Sequence, residues 1–397
     1  MPTSSSTAEA PAAVAAQPVS RRSRRPSPEI LAVVGFWLAT RAALVVFTVM
    51  ACWLLRVDAG GRLSGPTRWF LERFTWWDSF HFLRIVDRGY LALPVGGGDQ
   101  AFFPGYPLAI AAVRPLAGGN APMAGFVVSV VAGTVAAAVL WHLGRLTTGT
   151  PRGGWLAVTV LAVAPYGFFL VTVYSEALFL ACAFGAWAAG LTRRWWLAGV
   201  LVALASLVRI NGLFLAVALG VLYLTQHRRR LRPDVLALAL PLVAVGGFFA
   251  YLRLRTGSWN AWQDAQDLGW HRGLAAPWTG LANGWHSART AGSADLVISR
   301  WADLVVTVAG IALVVVLAVL RRWPETVFVL LNVAVLACST TLISAPRYAL
   351  MWFPAYLLVA ELGVRDRWRR LTPTVVIACL PLLGVVALSF ASHQWTA

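Results

Sequence analysis

Residues capable of acid–base chemistry and of binding anions are concentrated around residues 76–90. Asp78 directly follows Trp77, and polar residues then recur at helical spacing at His81, Arg84 and Arg88. Because residues three or four positions apart share one face of an α-helix, this spacing predicts a helix with cations on one face. Asp78 is either a carboxylate that takes up a proton during a reaction or only the N-cap of this helix. Its place beside a tryptophan and the cationic face favours the first interpretation.

Further polar residues stand at short turns between apolar runs. Glu176 is either a second substrate-binding carboxylate or part of a helix N-terminus. Arg209 and Arg347 either hold an anion or bond the carbonyl groups at helix ends. Tyr106 lies in an aromatic and proline-rich segment over 101–108, which is either a turn in an aromatic belt or a wall of a lipid-facing cavity.

No metal site, cofactor or disulfide framework is predicted. His81 has no second ligand at metal-binding spacing, and we expect it to orient its neighbours rather than bind a metal. The cysteines lie in or at the edge of apolar runs without paired spacing, at Cys52, Cys182, Cys338 and Cys379.

The composition shows what kind of protein must position these residues. Of the 397 residues, 59% are hydrophobic and 12% are charged, and the mean hydropathy is +0.69. So few charged residues could not cover a soluble core, and the apolar runs lack the alternation of a membrane β-barrel. The net charge of +17 resides in short arginine clusters between apolar runs, which is typical of membrane proteins and argues against nucleic acid as a partner. The fold class is therefore an all-α polytopic membrane protein.

About eleven apolar runs are long enough to be predicted as transmembrane helices. Residues 1–28 form a predicted disordered, basic cytoplasmic tail before the first of them. Arg41 falls inside the first run and is expected to pair with a neighbouring helix. The runs cover residues 30–55, 121–144, 154–173, 175–192, 195–208, 211–226, 234–252, 301–320, 325–343, 347–362 and 373–391.

The arginine clusters predict the orientation of these spans. They fall in every second connection, so the N-terminus and those connections are predicted to be cytoplasmic. The two long connections, 56–120 and 253–300, are then extracytoplasmic, as are the polar turns. The helix that begins near Asp78 would lie in the membrane interface there, with its aromatic side chains in lipid and its cations towards phosphate. The clusters are residues 21–25, Arg145 with Arg152, Arg193 with Arg194, residues 228–232, Arg321 with Arg322, and residues 365–370.

The ordered motifs resemble those of the PIG-V-type mannosyltransferases, which belong to the GT-C class of integral-membrane glycosyltransferases. They extend from the first long connection to the tenth span. All basic residues are arginine, and the heavy use of Ala, Arg and Val resembles a bacterial, actinobacterial-type genome. The motifs are Trp77-Asp78-Ser79 with His81-Phe82 and Gly89-Tyr90, Phe102-Phe103-Pro104-Gly105-Tyr106-Pro107, Tyr174-Ser175-Glu176, and Ser344 with Pro346-Arg347-Tyr348.

The resemblance implies a GT-C-like transmembrane domain over 29–397 in the plasma membrane. Such an enzyme moves mannose from a polyprenyl-phosphate carrier to an acceptor hydroxyl of a glycolipid or glycan at the extracytoplasmic face. Asp78 would be the catalytic base. The donor phosphate would be bound by Arg347, Arg209, Arg84, Arg88, His81 and Tyr348. The acceptor or the sugar would be bound by Glu176, Trp77, Tyr106 and Trp270, the last being one of five tryptophans in the second long connection.

Two other functional classes fit a polytopic membrane protein. A transporter or lipid flippase places polar groups at the bilayer midplane on broken helices in corresponding repeats. Here the midplanes are apolar apart from Arg41, and the sequence shows no half-to-half repeat. A non-catalytic scaffold subunit is the second alternative, and activity of the purified chain separates it from an enzyme.

Overall fold

The computed structural model describes residues 28–57, 62–63, 67–92, 97–228 and 230–394. Over these residues the chain is all-α, with one isolated bridge between Leu274 and Ser339. Nearly all of the predicted cytoplasmic tail lies outside the described residues. The helices are α1 (Pro28–Leu54), α2 (Arg68–Leu71), α3 (Asp78–Arg88), α4 (Gly105–Val113), α5 (Ala121–Thr148), α6 (Pro151–Val163), α7 (Glu176–Leu191), α8 (Trp195–Val208), α9 (Asn211–Gln226), α10 (Leu240–Thr256), α11 (Ala261–Trp270), α12 (Pro277–Thr290), α13 (Ala294–Val319), α14 (Trp323–Ala337), α15 (Ala345–Ala349), α16 (Phe353–Gly363) and α17 (Leu371–Ala391).

The described residues include five helical segments long and apolar enough to cross a membrane. They span Pro28–Leu54, Ala121–Thr148, Pro233–Thr256, Ala294–Val319 and Asp366–Ala391. Five shorter apolar helices, α7, α8, α9, α14 and α16, accompany them. This architecture is consistent with the polytopic membrane protein that the composition predicts.

The predicted span over 154–173 is wrong in its second half. Helix α6 ends at Val163, where Ala164 turns to an extended backbone before Pro165, as the steric demand of a following proline requires. A 3-10 helix follows over Pro165–Leu170. Arg41 donates hydrogen bonds to the carbonyl oxygens of Ala162 and of Gly167, the latter at 2.9 Å. The expectation that Arg41 pairs with a neighbouring helix is therefore confirmed, and its guanidinium bonds carbonyl groups at the break in that helix.

The predicted spans 325–343 and 347–362 are also interrupted. Helix α14 ends at Ala337, and a non-helical stretch leads to the short helix α15. At the start of α15, Ser344 has a left-handed backbone with φ of 65°. Residues 350–352 then separate α15 from α16, which has Pro354 in its first turn. Consequently Arg347 and Tyr348 lie on a short, largely buried helix rather than at the start of a continuous span.

The two long connections are not loops but contain helices of their own. Helices α2 to α4 lie in the first connection, and α11 and α12 lie in the second. The central helix α5 packs closely on α6 and α7 because small residues line its contact faces. A Cβ atom added at Gly154 would lie 2.5 Å from the carbonyl oxygen of Trp141, so α5 and α6 approach backbone to backbone, as small residues permit in membrane bundles.

Candidate active site

The start of α3 is held in place by the segment that precedes α7. The hydroxyl of Tyr174 donates a hydrogen bond to the Trp76 carbonyl at 3.1 Å and accepts one from the Asp78 amide at 3.3 Å. The hydroxyl of Ser79 donates to the Val173 carbonyl at 3.0 Å. These bonds fix the position of the Asp78 backbone even though it begins a helix in the first long connection.

Trp77, rather than Asp78, occupies the N-cap position of α3. Its φ of 55° and ψ of −116° lie in a region that glycine usually supplies in turns. Asp78 is the first helical residue, and its carboxylate is directed to Arg347, with Oδ2 2.7 Å from Nη1. The interpretation of Asp78 as only an N-cap therefore does not describe this geometry.

Four buried or partly buried charges form a continuous chain. Arg347 bonds Asp78, and its Nε lies 3.3 Å from Oε1 of Glu176. The same Oε1 accepts a hydrogen bond from Nη1 of Arg209 at 2.9 Å. Each carboxylate therefore has a cationic partner, which offsets part of the cost of taking these charges out of water. Arg209 and Arg347 pair with carboxylates rather than with the helix-end carbonyls considered as the alternative.

A cavity of about 290 Å³ borders this chain of charges. We call it the arginine cavity, because Arg209, Arg272 and Arg347 line it together with Asp78 and Tyr348. Glu176 is fully buried and lies behind its wall. Guanidinium groups bind phosphate and carboxylate oxygens in pairs through their planar fork of donors. The cavity is thus suited to an anionic ligand.

Asp78 also lines a second cavity, of about 730 Å³. We call it the tryptophan cavity, because Trp76, Trp77 and Trp270 line it. His81 also lines this cavity, and its ring packs against that of Trp270 in a tilted arrangement with centroids 5.6 Å apart. Asp78 and Trp270 border both cavities. A ligand in either cavity can therefore reach the Asp78 carboxylate.

Comparison with known proteins identifies the relatives of this chain. Residues 62–237 match the family model described as Mannosyltransferase (PIG-V). Proteins named GPI alpha-1,6-mannosyltransferase 2 are similar to it: that of Cricetulus griseus is 38% identical over 177 residues, and that of Homo sapiens is 35% identical over 167. Residues 62–237 are thus similar to the PIG-V mannosyltransferase family. These alignments cover 42% and 40% of this chain, but each spans only 33% of the relative's length.

The family match includes Asp78, Glu176 and Arg209, whereas Arg272 and Arg347 follow it in the chain. The site is therefore assembled from residues inside the matched segment and residues that follow it. The motif residues singled out in the sequence, Tyr174-Ser175-Glu176 and Pro346-Arg347-Tyr348, meet at Asp78 as the geometry above describes. Tyr348 lines the arginine cavity, and its hydroxyl accepts a hydrogen bond from Arg272 at 3.0 Å.

Two predicted phosphate-binding residues on α3 have a different partner. Asp99 is fully buried, and its carboxylate accepts hydrogen bonds from Arg84 at 2.6 and 2.8 Å and lies 2.8 Å from Nδ1 of His81. Burial raises the pKa of the Asp99 carboxyl, but the hydrogen bonds and charges of Arg84 and His81 outweigh it, so the pKa lies below its ordinary value. This ion cluster docks the 97–101 segment on α3.

The structure does not bring every predicted residue to the two cavities. Arg84 faces Asp99, and Arg88 is exposed at the end of α3. Tyr106 is fully buried, and its hydroxyl contacts the Gly125 carbonyl at 3.0 Å and the Ser129 hydroxyl at 2.8 Å. The aromatic side of α3 does not face lipid as expected, because Phe82 packs on Tyr106 and on Phe102 within the protein.

Sequence reasoning missed three charged residues that support the site. Arg272 lies in a tryptophan-rich connection that gave no motif, and Asp99 follows a glycine run. Asp303 had a usable signal, since it is a carboxylate within an apolar helix; its Oδ1 accepts a hydrogen bond from the Ala345 amide at 2.8 Å and so holds the start of α15. Among the described residues, no group of three or more His, Cys, Asp and Glu side chains could hold a metal ion.

Proposed function

We propose that this chain transfers a mannosyl residue from a polyprenyl-phosphate carrier to an acceptor hydroxyl of a glycolipid or glycan. The observation that carries the proposal is the position of Asp78 between the arginine cavity and the tryptophan cavity. The family match and the relatives named GPI alpha-1,6-mannosyltransferase 2 support a mannosyl group as the transferred unit. Their names also support a glycolipid acceptor.

The donor phosphate occupies the arginine cavity in this proposal, where Arg347, Arg209 and Tyr348 face it. Phosphate needs hydrogen-bond donors and positive charge most when it leaves, because its negative charge grows at that moment. Arg347 reaches both the cavity and Asp78, so it links the group that leaves to the group that accepts a proton.

The acceptor occupies the tryptophan cavity. Indole rings provide the flat apolar surfaces on which sugar rings pack, and Trp77 and Trp270 supply them here. The acceptor hydroxyl gives its proton to Asp78, and its oxygen attacks C1 of the mannosyl group. The bond between C1 and the phosphate oxygen breaks, and its electron pair stays on the phosphate. Glu176 acts from behind the wall by holding Arg209 and Arg347 rather than by touching the acceptor.

The proposal also includes a membrane arrangement. Eleven spans result if α6 crosses the bilayer together with the five long and the five shorter apolar helices. The alternating arginine clusters then place the N-terminus in the cytoplasm and both cavities outside. We assign the chain to the plasma membrane, with residues 29–397 as one GT-C-like transmembrane domain.

The test uses the full chain, purified and reconstituted into lipid vesicles, with radiolabelled mannosyl-phosphoryl polyprenol and a membrane lipid extract. We expect radiolabel to move to an acceptor lipid or glycan. Asp78→Asn should lower turnover about a hundredfold or more while binding of the donor persists. Asp87→Asn, on the same helix but with its carboxylate half exposed in an ion pair with Arg114, is the matched control and should retain activity.

Two results would overturn the proposal. Absence of transfer by folded protein, with movement of the labelled lipid between leaflets, would favour the transporter or flippase. Near-normal turnover of Asp78→Asn would remove the base from the mechanism.

A further inference from the structure

We propose that Arg272 provides the net positive charge of the arginine cavity and is the main ligand of the donor phosphate. This inference rests on the proposed function and names a residue that neither the motifs nor the family match contains.

The charge count separates Arg272 from the other two arginines. Among the described residues that line the arginine cavity, the charged ones are Asp78, Arg209, Arg272 and Arg347. Glu176 lies behind the wall and contacts both Arg209 and Arg347. The two carboxylates therefore cancel the charges of Arg209 and Arg347, and the charge of Arg272 remains.

Arg272 is held by neutral groups. Its Nη1 donates to the hydroxyl of Tyr348 at 3.0 Å, and its Nη2 donates to the Ile343 carbonyl at 2.8 Å. The nearby carboxylate of Asp303 has its own cation, because its Oδ2 lies 3.8 Å from Nη1 of Arg300. A cation bound by neutral acceptors keeps its attraction for an incoming anion.

The backbone around Arg272 fixes its position before any ligand binds. His271 ends α11 in a left-handed conformation with φ of 51°. The next residues pair with the stretch that follows α14: Thr340 donates from its amide to the Gly273 carbonyl at 2.9 Å, and Ala275 donates to the Cys338 carbonyl at 2.8 Å. Since both stretches line the same cavity, Arg272 is preorganised there, which lowers the entropic cost of binding.

The net charge of the arginine cavity is equal and opposite to the charge of the bound phosphate both before and after transfer. A mannosyl-phosphoryl polyprenol is a phosphodiester with one negative charge, equal and opposite to that of Arg272. After transfer, Asp78 carries the proton and is neutral, so the same set of residues has a net charge of two. The departing polyprenyl phosphate is a monoester that then carries two negative charges. The proton that Asp78 accepts thus raises the charge of the cavity in step with that of the phosphate.

The experiment compares Arg272→Gln with Arg289→Gln, an exposed arginine of the same connection, in reconstituted full-length protein. We expect Arg272→Gln to raise the donor KM about ten- to hundredfold, with a smaller change in acceptor KM. Inhibition by polyprenyl phosphate should weaken more than donor binding, because the inhibitor carries the larger charge. Arg272→Lys should restore part of both, and Arg289→Gln should behave as wild type.

Binding of polyprenyl phosphate, measured in detergent by a thermal-shift titration, tests the same residue without turnover. If wild-type protein shows no transfer, the proposed function fails, yet weaker binding by folded Arg272→Gln still supports this inference. If wild-type protein is active and Arg272→Gln keeps both its donor KM and its inhibition constant, the inference is wrong. Equal losses for Arg272→Gln and Arg272→Lys would also overturn it, because charge would then not matter.

Discussion

Arg347 meets Asp78 at 2.7 Å although 269 positions separate them in the chain. Unusual backbone precedes both residues: Trp77, with φ of 55°, directly precedes Asp78, and Ser344, with φ of 65°, lies three residues before Arg347. Such backbone conformations cost free energy in residues other than glycine. These conformations persist where the surrounding structure enforces them, often at functional sites. The two strained turns help to bring the Asp78 carboxylate and the Arg347 guanidinium, which belong to distant elements, into contact with each other.

The contacts of the Arg347 guanidinium with Asp78 and Glu176 predict that two substitutions of Arg347 differ in their effect on protein stability. Arg347→Lys keeps the charge but cannot contact Asp78 and Glu176 at once, so we expect turnover to fall about a hundredfold or more with near-normal yield of folded protein. Arg347→Gln leaves Asp78 buried without a cation and should destabilise the protein by roughly 3–5 kcal/mol. Activity assays and denaturant unfolding in detergent measure both. Equal loss of folded protein in the two variants would instead assign Arg347 a structural role.

Gly98 is predicted to be required beside the tryptophan cavity. Its φ is +94°, and an added Cβ atom would lie 2.8 Å from Cε1 of His81. Gly98→Ala should therefore cost about 1–3 kcal/mol of stability and displace His81, raising the acceptor KM. Gly118→Ala is the matched control, because Gly118 also has a positive φ but open space around it. An unchanged acceptor KM in Gly98→Ala would show that His81 does not contribute to acceptor binding.

The Asp99 ion cluster predicts a pH dependence. Because the folded-state pKa of Asp99 lies below its ordinary value of 3.8, its contribution to stability is complete above that value and is lost as the pH falls through the folded pKa. The 97–101 segment should therefore resist proteolysis at pH 5 and open only under stronger acid. Asp99→Asn should remove this dependence and cost about 2 kcal/mol at neutral pH. A proteolysis profile identical in the variant and the wild type would contradict this role.

Membrane orientation is predicted by the arginine clusters. Reporter fusions after Arg230 and Arg370 should be active in the cytoplasm, whereas fusions near Gly98 and Ala282 should be active outside. The measurement is a pair of reporters with opposite compartment requirements at each position. A cytoplasmic signal at Gly98 would place both cavities on the inner side and remove an extracytoplasmic donor from the proposal.

Much of the site could be predicted because its motifs are local. Asp78, Glu176, Arg209 and Arg347 each interrupt or flank an apolar run, where a charge is costly and conspicuous. Arg272 could not be found this way, since it lies in a polar connection and its importance depends on which other charges are cancelled. That cancellation is a property of three-dimensional pairing.

The same contrast holds for the fold. Helices α8 and α9 match their predicted spans, because each is one apolar run bounded by polar residues. The sequence pattern does not predict the break after Val163, because apolar residues continue on both sides of the break. Only Pro165 marks this position, and the hydropathy of the neighbouring residues still indicates one continuous span. Burial of Tyr106 depends on α4 packing against α5, which no local pattern reveals.

The long separation between Asp78 and Arg347 has a consequence for how the protein is made. During synthesis, Glu176 gains Arg209 within a few dozen residues, so that pair can form as its helices enter the membrane. Asp78 gains its partner Arg347 only after α15 has been synthesised, and α15 follows most of the other helices. A chain that stops before Arg347 holds a carboxylate without its counter-charge, and its arginine cavity lacks a wall. The candidate site is therefore complete only after translation has passed α15.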